Sequence, residues 1–342
     1  MRTYKKPLLL LGQGAKNSQH REFAEKYQIP VITSRLGIDL IEYDHPLFVG
    51  HPGNYGDVPA KLAIANADII FIVGCRLSSS IAGYKPSEWG KNACKAMIDI
   101  DQKELDKRDV VMNYLLKCDS KYFFKEALKF NFIYGCRNWV KQCQKWKKQY
   151  QVVTPQMRKE KPVNSYYFTE VLSRLATKDD IILVDTGSCF HVVAQAWKLK
   201  KGQRFITTGG LSSMGWWAAS LGASVLGNTL CVTGDGSLQM NIQELATIKH
   251  YNLPIKLFVW NNEGYGLIRA TQKRFNLGHI GESPETGLWM PRLYAISKAY
   301  KLPYYRITDY KYLEPIIKAT LKQEGPVICE VMVPKWQELL RP

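Results

Sequence analysis

The sequence lacks the cysteine patterns that mark zinc sites and disulfide frameworks. Its 342 residues include eight cysteines, which are scattered, with no CxxC pair and no Cys/His spacing of the zinc-binding type. In a chain of this length, scattered cysteines are typical of reduced thiols in a cytoplasmic protein. We therefore expect a cytoplasmic location and no zinc site.

Long apolar runs are absent as well. The longest, Ile69 to Gly74 and Ile255 to Trp260, fall far short of the roughly 20 residues that a membrane-spanning helix needs. The run from Pro7 to Leu11 is also shorter than the apolar core of a secretory signal, which has about 7 to 15 residues. We interpret it as a first β-strand and expect a soluble protein with no membrane partner.

Acidic residues are the minority charge, with 30 Asp and Glu against 47 Lys and Arg and a net charge of +17. Such an excess can indicate nucleic-acid binding, but here the lysines are spread along the chain and concentrate only between Trp139 and Lys161. Within that run Trp139, Cys143 and Trp146 recur at helical spacing, which predicts an apolar stripe and a solvated basic face. We expect no nucleic-acid partner.

The order of short β-rich runs and helical stretches indicates two α/β units. Strands that alternate with helices imply parallel sheets, because parallel neighbours need crossover connections. We predict an α/β fold with two doubly wound parallel-sheet domains. They span residues 1–135 and 163–342, with a basic helical linker at residues 136–162.

A glycine pair follows the first predicted strand. Gly12-Gln13-Gly14 resembles the start of a dinucleotide fingerprint, but Asn17 stands where the third glycine is required. A tight turn between strand and helix explains the pair more simply. The sequence therefore gives no independent support for a dinucleotide site in the first unit.

Small and polar turns follow three predicted strands of the second unit, at Asp185 to Ser188, Thr208 to Gly210 and Gly234 to Ser237. Open α/β sheets bind ligands outside the carboxyl ends of their strands, where loops and helix N-termini converge. We therefore expect the functional site at this edge of the second sheet.

An acidic turn and an amide turn lie at neighbouring strand ends in that unit. Gly234-Asp235-Gly236 is followed, after 24 residues, by Asn261-Asn262. A crossover helix between them would bring both turns to the same edge. One carboxylate, one amide oxygen and a carbonyl from the Gly264 turn form the hard oxygen set that Mg²⁺ prefers, and helix N-terminal amides could hold phosphates.

This stretch, from Gly234 to Gln272, resembles the cofactor motif of thiamine diphosphate (ThDP) enzymes. The likeness is greatest to the acetolactate synthase branch and to its relatives in surface-polysaccharide biosynthesis. Gly209 to Ala223 and, more loosely, Gly50 to Leu77 are similar too. The resemblance covers nearly the whole chain and implies a Rossmann-like central domain followed by a ThDP diphosphate-binding domain.

Carried over residue by residue, the resemblance implies Mg²⁺ ligation by Asp235, by Asn262 and by the carbonyl of Gly264. Met214 would press the aminopyrimidine towards the thiazolium, so that the 4′-imino group can take the C2 proton. The implied cofactor-binding residues are Gly187, Ser188, Cys189, Ser212, Met214, Gly234, Asp235, Gly236, Ser237, Asn262, Gly264 and Tyr265.

Structural alternatives remain open for three of these residues. Asp235 could be an ordinary helix N-cap, Met214 a core residue and Cys189 a small buried hydrophobe. The resemblance identifies no catalytic residue in this chain.

Three departures from the family pattern limit what can be carried over. Acetolactate synthases have Gln-His in place of Ser188-Cys189, so only backbone contacts to the diphosphate transfer. Ile268 stands where aldehyde-releasing decarboxylases carry an acidic residue, which favours an intermediate captured by a second carbonyl compound, in a ligation or in a polysaccharide-sugar reaction. The loop from Arg76 to Gly83 is less acidic than in flavin-containing members, so FAD is not assumed.

The family also uses a pyrimidine-binding domain, whose glutamate protonates N1′ of the cofactor, and no glutamate here has a matching context. Glu22 and Glu25, for example, fall on an early helix of the first unit. We expect a pyrimidine-domain protein chain and a homo-oligomer to complete the site. A truncated or degenerate non-catalytic homologue and an interaction or nucleotide-binding module remain alternatives.

Overall fold

The computed structural model describes residues 4–107, 109–131 and 136–342, and the chain divides into two compact units. The first comprises Met1–Val152 and Leu340–Pro342, and the second comprises Val153–Leu339. Each contains a six-stranded sheet in which neighbouring strands run parallel. The predicted α/β fold with two parallel-sheet domains is therefore confirmed.

The first sheet has the strand order β3-β2-β1-β4-β5-β6. Its strands are β1 (Pro7–Leu11), β2 (Val31–Thr33), β3 (Phe48–Gly50), β4 (Ile69–Val73), β5 (Cys94–Asp99) and β6 (Tyr114–Lys117). The helices of this unit are α1 (His20–Tyr27), α2 (Val58–Asn66), α3 (Ser79–Ala82), α4 (Gln102–Leu105), α5 (Ser120–Ala127) and α6 (Arg137–Gln149).

The glycine pair after β1 allows the turn after β1 to pack closely against the turn after β4. A Cβ atom on Gly12 would lie 2.0 Å from the carbonyl oxygen of Gly74, and one on Gly14 would lie 2.9 Å from the Gly74 Cα atom. Side chains at these positions would force the turns after β1 and β4 apart. The pair therefore forms the tight turn that its incomplete fingerprint indicates.

Helix α6 packs on the first unit through the predicted apolar stripe. Trp139 and Cys143 are buried in the same core cluster as Leu8, and Trp146 contacts Trp139 edge-on with ring centroids 5.7 Å apart. The indole nitrogen of Trp139 also donates a hydrogen bond to the carbonyl of Pro7 at 2.9 Å. The helix placed by sequence in a linker thus contributes to a core.

The second sheet has the order β11-β12-β10-β9-β7-β8. Its strands are β7 (Ile181–Val184), β8 (Arg204–Thr207), β9 (Thr229–Gly234), β10 (Ile255–Asn261), β11 (Tyr304–Ile307) and β12 (Val327–Met332). The helices are α7 (Ser165–Leu175), α8 (Ser188–Ala196), α9 (Ser220–Ser224), α10 (Asp235–Leu238), α11 (Glu244–His250), α12 (Gly266–Arg274), α13 (Leu293–Ala299) and α14 (Leu313–Lys322).

The register of the central strands positions the functional edge. In β9 and β10, Gly234 pairs with Trp260, so both strands end at the same level of the sheet. The residues that follow them therefore emerge side by side. In the part of the chain that the structure describes, no helix is both long enough and apolar enough to cross a membrane.

Candidate functional site

The acidic turn and the amide turn meet at the carboxyl edge of the second sheet, as their spacing predicts. Asp235 begins α10 directly after β9, and the turn of residues 262–264 follows β10. The backbone N–H of Gly264 donates a hydrogen bond to Oδ2 of Asp235 at 3.1 Å. This bond joins the two turns directly.

The carboxylate of Asp235 is buried without a cationic partner. The residue is 5% exposed, and its Oδ1 accepts a hydrogen bond from the N–H of Gly236 at 2.8 Å. Burial raises the pKa of Asp235 to about 6, while backbone hydrogen bonds and the charge of Arg269 oppose the rise. Across the described ranges, no Lys, Arg or His side chain forms an ion pair with it.

Helix capping does not account for this aspartate. The N-cap of α10 is Gly234, so Asp235 occupies the first helical position, and one of its oxygens bonds the other turn. A buried carboxylate without a compensating charge is unfavourable, and a bound cation would remove that penalty.

The turn of residues 262–264 offers two oxygens that the protein leaves unused. Among the described residues, no group donates a hydrogen bond to the carbonyl of Gly264 or bonds the side-chain amide of Asn262. Within the described ranges, Asn262 forms no hydrogen bond with Asp235, so the connection runs through Gly264. One carboxylate, one amide and one carbonyl thus follow the ends of two adjacent strands, and oxygens of these kinds are the ligands that Mg²⁺ prefers.

Gly264 is required by its backbone conformation and by space. Its φ of +138° lies outside the range that side-chain-bearing residues normally adopt. A Cβ atom there would lie 2.0 Å from the carbonyl oxygen of Glu282. Only glycine allows the turn to lie this close to the neighbouring loop.

Tyr265 lies against the start of α10. A Cβ atom on Gly236 would come within 2.3 Å of the Tyr265 ring, so the ring covers the glycine. The structure therefore brings Asp235, Gly236, Gly264 and Tyr265 together at the carboxyl ends of β9 and β10.

Asp185 is an organising residue to which sequence reasoning gave no role. It is fully buried at the end of β7, and its Oδ2 accepts hydrogen bonds from Thr233 Oγ1 at 2.7 Å and from Ser237 Oγ at 2.6 Å. Its Oδ1 accepts the N–H of Thr186 at 2.7 Å. Asp185 thereby ties the end of β7 to the end of β9. An acidic residue at a strand end, before a Thr-Gly turn, is the sequence signal for this role.

The hydroxyl of Ser237 is occupied within the protein. It donates its proton to Asp185 and accepts a hydrogen bond from the N–H of Gly215 at 2.8 Å. Because a hydroxyl has a single proton, any contact from Ser237 to an anion would use its backbone N–H.

The loop that carries Met214 is held on both sides. The hydroxyl of Thr186 donates to the carbonyl of Ser212 at 2.8 Å, and the Asn241 side-chain amide donates to the carbonyl of Gly215 at 2.9 Å. Between these anchors, Met214 is 39% exposed. That exposure is high for a residue with a purely core-packing role.

The turn of Gly187, Ser188 and Cys189 begins α8. Gly187 is the N-cap and has a φ of +80°, and Ser188 is the first helical residue. Cys189 is 2% exposed, and burial together with the charges of Asp185 and Asp235 raises the pKa of its thiol well above the usual value. The Cys189 side chain is therefore a neutral, buried thiol that offers little to a ligand, whereas Ser188 is only partly buried.

A cavity of about 430 Å³ opens beside Asp235. Glu263 shares its wall with Asp235, and Trp289, Arg292 and Tyr304 line other parts of it. This volume lies in the range of pockets that hold small organic ligands.

Comparisons with known proteins assign both units to domains of one family. Residues 185–331 match the thiamine pyrophosphate enzyme, C-terminal TPP binding domain, and residues 1–126 match the thiamine pyrophosphate enzyme, central domain. Both matches agree with the resemblance that the cofactor motif indicates.

Individual relatives are similar along almost the whole chain. The acetolactate synthase large subunit of Lactococcus lactis subsp. lactis is 30% identical over 98% of this chain and 59% of its own length. Acetolactate synthase 1, chloroplastic, of Zea mays is 29% identical over 98% of this chain and 55% of its own length. The chain thus spans somewhat more than half the length of these relatives.

Proposed function

Because this chain belongs to the thiamine pyrophosphate enzyme family and is acetolactate synthase-like, we propose that Asp235, Asn262 and Gly264 hold the Mg²⁺ ion that anchors its thiamine diphosphate. The observation that carries the proposal is the buried carboxylate of Asp235, which has no cationic partner among the described residues and lies beside unused oxygens of the 262–264 turn. A divalent ion would satisfy all three oxygens at once.

The diphosphate would bind mainly to backbone. Gly236 and Ser237 lie at the start of α10, and Ser188 lies at the start of α8, where N–H groups of a first helical turn lack intrahelical partners. The Ser237 hydroxyl and the Cys189 thiol are engaged or buried, so their side chains contribute little. Affinity would therefore depend strongly on the Mg²⁺ bridge.

The Met214 loop would form the other wall of the cofactor pocket. Hydrogen bonds from Thr186 and Asn241 hold its backbone, and the partly exposed Met214 would support a bent cofactor from this loop. When bound, thiamine diphosphate supplies a nucleophilic carbon for attack on the carbonyl of a 2-oxo acid. Ile268, a non-acidic residue at 49% exposure, favours carboligation over aldehyde release.

The carboxylate that would protonate N1′ is proposed to come from a pyrimidine-binding domain outside these residues. Two glutamates in or near the 262–264 turn are both in ion pairs, Glu263 with Lys335 and the buried Glu282 with Arg269, which argues against either as that acid. We infer a pyrimidine-domain protein chain and a homo-oligomer as partners. The description of the Lactococcus lactis relative as a large subunit supports association with other chains.

The ion pairs of these two glutamates also support one alternative function, a homologue that binds ThDP but has no catalytic activity. The two functions differ in the effect of a pyrimidine-domain protein from the same source. Turnover of pyruvate that appears only when both proteins are mixed supports the split enzyme, whereas tight ThDP binding without turnover supports the non-catalytic homologue.

Calorimetric titration of ThDP into the purified chain tests the cofactor proposal. Binding should require Mg²⁺, and it should be lost in an Asp235→Ala variant that keeps the circular dichroism spectrum of the unchanged protein. Equal binding with Mg²⁺ and with a chelator, or undiminished binding to the variant at saturating Mg²⁺, would contradict the assignment.

A further inference from the structure

Behind the turn of residues 262–264 lies a buried arginine that the cofactor motif does not include. Arg269, on α12, is 2% exposed, and its Nε donates to Oε2 of Glu282 at 2.5 Å. Glu282 is likewise 2% exposed, so the two opposite charges are removed from water together. Burying such a pair carries a large desolvation cost, which makes stability alone a poor explanation for it.

Every N–H group of this guanidinium has an acceptor. Nη1 donates to the carbonyls of Asn262 at 3.4 Å and Lys335 at 2.5 Å, and Nη2 donates to the carbonyls of Glu263 and Glu282, each at 3.2 Å. With the bond from Nε, these contacts use all five donors of an arginine. The guanidinium carbon also lies 5.2 Å from the ring centroid of Trp336.

These hydrogen bonds engage two of the three successive carbonyls in the turn of residues 262–264 and leave the third without a donor among the described residues. The carbonyls of Asn262 and Glu263 point to Arg269, while none of the described residues donates a hydrogen bond to the carbonyl of Gly264. The Glu282 carbonyl reinforces this orientation by accepting the N–H of Tyr265 at 2.9 Å. Two carbonyls are thus held away from the cation position, and the third remains free.

We propose that Arg269 is a positioning residue for the metal site, which fixes the 262–264 turn so that the Gly264 carbonyl and the Asn262 side chain face the cation. This inference rests on the proposed function, because it concerns the same Mg²⁺. Arg269 touches neither the metal ligand atoms nor the cofactor pocket directly. The bound Glu282 balances its charge, so the arginine does not repel the cation as an unpaired one would.

Lysine cannot replace arginine in this role. An ammonium group has three donors around one point and cannot reach acceptors on three separate segments, whereas the planar guanidinium can. Arg269→Lys keeps the buried charge opposite Glu282 but releases at least part of the turn. Loss of outer-sphere support typically weakens metal binding by about 10- to 100-fold.

The experiment is a Mg²⁺ titration at fixed ThDP on the purified 342-residue chain, followed by calorimetry or tryptophan fluorescence. Arg269→Lys should raise the half-saturating Mg²⁺ concentration roughly tenfold or more and leave the amount of ThDP bound at saturating Mg²⁺ unchanged. Arg274→Lys is the matched control, because Arg274 lies on the same helix and is exposed. It should titrate like the unchanged chain.

A second variant keeps the inference testable if Arg269→Lys does not fold. Arg269→Met with Glu282→Gln removes both buried charges together, so no unpaired ion is left inside, and it should show the same rise in half-saturating Mg²⁺. A purely structural role would lower the unfolding temperature but leave the Mg²⁺ requirement of the folded protein unchanged. That result, in either variant, would overturn the inference.

The two proposals fail in different ways. No Mg²⁺-dependent binding in the unchanged chain would contradict the proposed function itself. Normal binding in the unchanged chain, with the same half-saturating Mg²⁺ in the Arg269 variants, would contradict only the role of Arg269.

Discussion

The substitution Asp235→Asn should abolish cofactor binding without lowering the stability of the ligand-free second unit. Burial raises the pKa of Asp235 from 3.8 to about 6, a difference of roughly two units, or about 3 kcal/mol at neutral pH. Because the pKa is raised, the folded protein gains stability from the protonated form below about pH 4 and loses it as pH rises through about 6. The neutral asparagine removes this loss.

The substitution also has a cost, since both carboxylate oxygens accept backbone N–H groups and an amide offers only one acceptor. One unsatisfied N–H costs about 1 to 3 kcal/mol, so the net change at pH 8 lies between none and a gain of about 2 kcal/mol. Without ligand, the variant should therefore unfold at the same temperature as the unchanged protein or a few degrees higher.

Bound ligand should then make the unchanged protein unfold at a higher temperature than the variant. At concentrations 100-fold above the dissociation constant, Mg²⁺ and ThDP should stabilise the unchanged protein by about 2.7 kcal/mol, which raises its unfolding temperature by roughly 5 to 10 °C. The variant should show no such rise. The assay is thermal unfolding at pH 8 with and without both ligands. Two results would refute the reasoning. One is an unfolding temperature of the ligand-free variant well below that of the unchanged protein, and the other is an equal rise in unfolding temperature with ligand for both proteins.

Two further substitutions test the walls of the site. Met214→Ala should slow exchange of the cofactor C2 proton in an active complex while sparing diphosphate affinity, and unchanged exchange would show that Met214 is not a cofactor support. Gly264→Ala should abolish Mg²⁺-dependent ThDP binding and lower stability, because its Cβ atom would lie 2.0 Å from the Glu282 carbonyl and its φ is +138°. Gly222→Ala, where a Cβ atom meets nothing within 4 Å, is the matched control and should have neither effect in calorimetry or thermal unfolding.

The core strands and the meeting of the two turns were predictable, because both follow from periodicity and connection rules. Buried parallel strands such as β9 and β10 are nearly continuous apolar runs, and a helix between them places Asp235 and Asn262 at one edge. By contrast, β3, β6 and β11 did not show in the pattern. All three lie at sheet edges. Strand β3 has only three residues, all of them buried, and every residue of β6 is exposed, so neither shows an alternation of buried and exposed residues.

The supporting residues of the site were harder to predict than the ligands. Asp185 and Arg269 act through side-chain hydrogen bonds to segments 48 residues away along the chain, in Thr233, and 66 residues away, in Lys335. Such pairings depend on tertiary packing, and a single sequence contains no periodic signal for them. The same limit applies to Ser237, because the sequence alone does not show that its hydroxyl is bound to Asp185 and that only its backbone N–H is left for the diphosphate contact that the resemblance implies.

The central claim is that one divalent cation binds Asp235, Asn262 and Gly264 together with the cofactor diphosphate. Its most direct test is anomalous diffraction from crystals of the chain grown with Mn²⁺ in place of Mg²⁺ and with ThDP. We expect a single strong peak about 2.0 to 2.3 Å from an Asp235 carboxylate oxygen, the Asn262 side-chain oxygen and the Gly264 carbonyl oxygen. Bound ThDP with the manganese peak elsewhere, or with no peak at these three oxygens, would contradict it.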